Sequence, residues 1–101
     1  MTRRDTWFGA LKFKLQDGGF PDTVQAHMFF DNGYGASVIQ GPFTLGGSAG
    51  LYELAVLVGT AENHRITYDT RFTGDVLGHL TPQDVTDYLK RIERLRPRKG
   101  D

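Results

Sequence analysis

The chain contains no cysteine. That single absence excludes a disulfide framework, a thiolate zinc site and a cysteine nucleophile. Long apolar runs are missing too: Leu54-Ala55-Val56-Leu57-Val58 is the longest, far below the roughly 20 residues that a membrane-spanning helix needs. No membrane partner is expected. Net charge is also absent, because 12 Lys and Arg offset 12 Asp and Glu over 101 residues, which removes the usual composition argument for nucleic acid or a membrane surface. Met1-Thr2-Arg3-Arg4 is followed by Asp5 and Trp7 instead of an apolar core, so no secretory leader is expected. A reducing, cytoplasmic setting fits these absences.

What is present is enough for a packed interior: 39% hydrophobic residues, 12% of all residues aromatic. The length predicts a single domain over residues 1–101, with 96–101 as a frayed basic tail. Period-two alternation over 7–15 predicts a strand in its later half, with Lys12 and Lys14 in water. The same period over 24–30 predicts a second strand. Asp31-Asn32-Gly33 then carries the Asn-Gly pair favoured in type I′ turns, where both central residues take positive φ, and 34–40 returns antiparallel. A loop through Gly46-Gly47-Ser48-Ala49-Gly50 leads to 51–58, nearly all apolar, which reads as a central strand. Ile66, Thr67 and Tyr68 predict a fifth strand over 64–69. Residues 70–80 are the least legible, and a turn of helix is the expectation there.

Thr81-Pro82-Gln83-Asp84 marks a helix start: Thr81 caps, Pro82 loses nothing by lacking an N–H, and Asp84 complements the positive helix end. Val85, Tyr88, Leu89, Ile92 and Leu95 then form one apolar stripe. Asp87 and Arg91 stand four apart in the favourable order for a side-chain pair, and Pro97 is expected to stop the helix. The fold class that follows is α+β, a four- to five-stranded, mainly antiparallel meander with one C-terminal helix packed on one face.

Chemistry is sparse. His27, His64 and His79 show no local metal spacing and read as surface or rim histidines, so no metal or cofactor is expected. The glycine-rich loop lacks the Lys, the Ser/Thr and the following helix of a phosphate loop, and reads as a flexible connection. Glu53 in an apolar strand could have a raised pKa suited to acid–base work, yet alternation also allows it to face outward or to pair with Arg65 or Arg71. A small hydrolase or isomerase built on Glu53 with His27 or His64 is therefore a minor reading, and a non-enzymatic protein is expected.

Two surpluses remain. Lys90, Arg91, Arg94, Arg96, Arg98 and Lys99 face only Glu93 within 90–99, whereas residues 5–89 hold four basic and ten acidic side chains. Such a basic end complements the helix dipole, and it could also contact nucleic acid or an acidic protein. The aromatics Phe29, Phe30, Tyr34, Phe43, Tyr52, Tyr68 and Phe72 are the second surplus. A helix of about 14 residues spans about 21 Å, too little to shield a whole five-stranded sheet. Exposed aromatics on such a sheet mark a face for a protein partner or a second copy of the chain.

The segments 30–39 (Phe30 to Ile39), 50–57 (Gly50 to Leu57), Thr67-Tyr68-Asp69-Thr70 and 75–80 (Asp75 to Leu80) occur in an order similar to that of small, uncharacterised bacteriophage and prophage proteins, over about residues 24–95. The resemblance implies a viral accessory protein that acts in the host cytoplasm by binding a host protein, including inhibition of a bacterial defence system. The residues expected to meet a partner are Tyr34, Phe43, Tyr52, Arg91, Arg94, Arg96 and Arg98, through an exposed sheet face, a free strand edge or the loop at 41–50, with a homodimer as a further expectation. The alternative expectation is a nucleic-acid-associated protein using the basic C-terminal helix.

Overall fold

A computed structural model describes residues 7–16, 18–68, 70 and 76–97. The elements are β1 (Lys14–Leu15), β2 (Val24–Phe29), β3 (Tyr34–Gln40), a short 3₁₀ turn (Gly47–Ala49), β4 (Tyr52–Gly59), β5 (His64–Ile66), β6 (Leu77–Leu80) and α1 (Pro82–Glu93). The sheet order is β1-β2-β3-β4-β5, with antiparallel neighbours throughout. The fold is α+β, a meander with one helix, as the sequence predicts.

β4 sits centrally because Leu54, Ala55, Val56 and Leu57 are buried on both faces. Its outer edge is shared: β5 pairs with Leu57 to Gly59, and β6 pairs with Tyr52 and Leu54. The helix packs on β3, β4 and β6. Val85, Leu89 and Ile92, spaced by one helical turn, are fully buried against Ala26, Ala36, Val38, Leu54 and Val56. The helix start is a full capping box, in which Asp84 N donates to Thr81 Oγ1 (3.1 Å) and Thr81 N donates to Asp84 Oδ2 (3.0 Å).

Several elements differ from the sequence expectation. Only Lys14–Leu15 of the first segment joins the sheet. Upstream, Ala10 N donates to Trp7 O and Leu11 N to Phe8 O, a turn that buries both Trp7 and Leu11 in the core. Of the region expected to hold a turn of helix, residues 71–75 lie outside the described residues, and 77–80 form strand β6. Its alternation is hidden by a register shift against β4 and by His79, whose φ of 58° interrupts extended geometry. The fifth strand ends at Ile66.

The turn between β2 and β3 also differs. Of its residues only Gly33 has positive φ, 88°, and Phe30 N donates to Tyr34 O at 2.8 Å. This is a three-residue connection with a glycine bulge, not a type I′ turn. Asn32 is buried for another reason: its Nδ2 reaches Ile92 O (2.9 Å), Glu93 O (3.1 Å) and Leu95 O (3.1 Å), while its Oδ1 accepts from Tyr34 N (3.0 Å). One amide thus ties the hairpin to carbonyls at and just beyond the end of α1, one of which, Ile92 O, also accepts from Leu95 N. The helix closes at Glu93, with Arg94 as its cap, before Pro97 can act.

Candidate protein-binding site and the open sheet face

The two ends of the sheet carry different chemistry. At one end lie the β1–β2 and β3–β4 connections, each tied by threonine. Thr44 Oγ1 accepts from Gly41 N (3.0 Å) and donates to Gly41 O (2.9 Å), closing a turn that throws Pro42 and Phe43 outward. Thr23 is almost fully buried; its carbonyl accepts from Gln16 N and its hydroxyl donates to Pro21 O. The two loops meet through Phe20 and Phe43, whose ring centres are 5.7 Å apart. Both rings remain in water, 57% and 62% exposed. Leu15 and Leu45, exposed as well, stand at the same end. The glycine-rich segment is ordered as a 3₁₀ turn whose ends are joined by Leu51 N to Gly46 O, and it leads into a strand.

At the other end Asn32 holds the helix terminus, and Arg91, Arg94 and Arg96 are exposed beside it. The Arg91 guanidinium lies 5.3 Å over the Tyr88 ring, and Asp87 accepts from Gln83 Nε2 at 3.0 Å. Because the Asn32 amide already meets the terminal carbonyls, the helix end does not require the arginines to satisfy them. Arg98, Arg3, Arg4 and Lys99 lie outside the described residues.

The remaining residues expected to meet a partner are placed elsewhere. Tyr34 and Tyr52 are half-buried on the helix side of the sheet; Tyr52 packs against Phe8 (5.0 Å) and Phe13 (5.6 Å). Phe43 therefore stands with Phe20, not with the tyrosines. Sequence reading missed Phe20 because it sits in a Gly-Gly-Phe-Pro loop, where no periodicity announces a face.

The sheet face opposite the helix presents Gln25, His27, Phe29, Ser37, Ile39, Glu53, Ala55, Leu57, His64 and Ile66, by alternation and register. Gln25 Nε2 donates to Ser37 Oγ at 2.9 Å. Glu53 Oε1 accepts from Leu45 N at 3.0 Å, which uses the carboxylate to anchor the loop that carries Phe43. Glu53 lines a cavity of about 120 Å³ with Gln25, Ser37 and Ile66, whereas His27 lines a separate cleft of about 340 Å³ with Lys12, Lys14 and Gln25. Glu53 lines the first of these and His27 the second, and neither lining holds both.

His27 and His64, on β2 and β5, do converge. Their ring centres are 5.1 Å apart, and Phe29 contacts both. Desolvation by partial burial is the main cause that lowers the His27 pKa below its ordinary 6.5, with further lowering by the charges of His64 and Lys14. Among the described residues no group of three or more metal-ligating side chains forms, and no helix is long and apolar enough to cross a membrane. The chain matches no family model, no curated protein and no solved structure.

Proposed function

We propose that the protein is a non-enzymatic binding module that engages a protein partner through the loop end bearing Phe20 and Phe43. The observation that carries this reading is the exposed aromatic pair itself. Two contacting rings held by buried threonine clamps present apolar area with little conformational entropy left to lose, the property that makes aromatics dominate interface energetics. Leu15 and Leu45 at the same end are exposed as well, which adds to the apolar area in water. The resemblance of its segment order to small bacteriophage and prophage proteins supports a partner of one kind, a host protein in the bacterial cytoplasm such as a component of a defence system.

The test is a photo-crosslinking phenylalanine analogue placed at Phe43 and, separately, at Arg94, each in host extract. The expected result is a discrete adduct from position 43 only, competed by the unlabelled chain but not by a Phe20→Ser, Phe43→Ser double variant. Equal adducts from both positions, or none from either, would overturn the assignment. An adduct of twice the chain mass would replace the host protein with a second copy.

A further inference from the structure

We propose that His27 and His64 form a two-imidazole site for a divalent transition-metal ion of the zinc, copper or nickel class. The pair is brought together by the sheet from positions 37 residues apart, on strands separated by β3 and β4. Two observations support ligation independently. The first is spacing. A metal–nitrogen bond of about 2.0–2.1 Å puts each imidazole centre about 3.2 Å from the ion, and a tetrahedral angle then separates the centres by about 5.2 Å; the observed separation is 5.1 Å.

The second is orientation. His64 Nδ1 lies 2.9 Å from Thr60 O. A carbonyl can only accept, so Nδ1 carries the proton and the Nε2 lone pair is left for a ligand. Metal-binding histidines characteristically donate their other ring N–H to a carbonyl in this way. Thr60 is itself fixed by the β4–β5 turn, where its N donates to Asn63 O and its O accepts from Asn63 N. Phe29 lies beside both rings, 5.9 Å from His27 and 5.2 Å from His64. Imidazole nitrogen suits borderline ions and not magnesium or calcium, which take oxygen. Water or a partner's side chain completes the coordination, because the protein supplies two ligands. Lys14 bears a positive charge close enough to act on His27, and it opposes a bound cation.

Titration of the full chain with Zn²⁺, followed by calorimetry and by histidine ring NMR signals, tests the site. Saturable binding of one ion is expected, with signals of His27 and His64 shifting and those of His79 unmoved. His27→Gln or His64→Gln should each weaken binding by about tenfold or more, at least what loss of an outer-shell partner costs. Lys14→Gln should tighten it, and Mg²⁺ should produce no shift. Both histidines are exposed, so the variants retain the fold, checked by far-UV circular dichroism. Absence of saturable binding, or unchanged binding in the double His27→Gln, His64→Gln variant, would overturn the proposal.

Discussion

The two ends of this sheet are closed by different means. At the helix-terminal end one buried amide, Asn32, donates to three carbonyls and draws the hairpin and the helix together. The joint is polar and internally satisfied, and the surface around it is free to be charged. At the opposite end the loops are closed internally by threonine hydroxyls, but they meet each other through Phe20 and Phe43, which stay in water. Closure by a buried hydrogen-bonding group leaves nothing apolar outside. Closure by ring stacking at a rim leaves a surface that a second molecule can finish covering.

The sharpest way to break this contrast is Asn32→Asp. The substitution keeps the shape, replaces a donor with a carboxylate aimed at three carbonyl oxygens, and should cost about 3 kcal/mol or more, the range for an uncompensated buried charge. Urea unfolding with an unchanged slope measures it; a loss within experimental error would show that the amide is not the joint. Gly35→Ala comes next. A Cβ there would stand 2.6 Å from Phe29 Cδ1 and 2.7 Å from Met28 O, and overpacking of this kind costs about 1–3 kcal/mol. The same variant should displace Phe29 from His64, visible as a change in the His64 ring signals.

The aromatic end should respond more weakly. In a double-mutant cycle, Phe20→Ala and Phe43→Ala are expected to show a coupling of about 0.5–1.5 kcal/mol in stability, as for other aromatic pairs. Partner binding should fall by more than the fold does, and the reverse ranking would make the pair a structural clasp only. The smallest effect is that of pH on the metal-free chain. Because the folded pKa of His27 lies below 6.5, the folded state binds fewer protons than the unfolded state between the two values. The stabilisation is present above pH 6.5 and declines as pH falls through that window. Thermal unfolding at pH 7.5 and 5.5 should show a decrease that is reduced in His27→Gln.

Legibility in the sequence followed the range of the interaction. The helix start was legible because Thr81, Pro82 and Asp84 act on one another within four residues. The β2–β3 hairpin was legible as a hairpin, but its turn type was not: Asn32 is chosen for carbonyls at Ile92, Glu93 and Leu95, which no local rule can see. β6 was hidden because one register shift and one left-handed residue erase its alternation. Phe43 was recognisable as an aromatic in a loop, whereas its partner Phe20 and the convergence of His27 with His64 depend on which strands become neighbours. Tyr34 and Tyr52 resembled Phe43 in composition, yet alternation turns them towards the helix.

The reach of the Asn32 amide has a kinetic side. It links positions 60 apart along the chain, whereas β2 and β3 meet across a three-residue connection. Closing the longer loop is the larger entropic step, so the expectation is that the hairpin forms before the amide engages, late in folding. Contacts made that late slow unfolding without hastening folding. On that order Asn32 is a latch, and replacing it should speed unfolding more than it slows folding, a split that stopped-flow kinetics of Asn32→Asp would read.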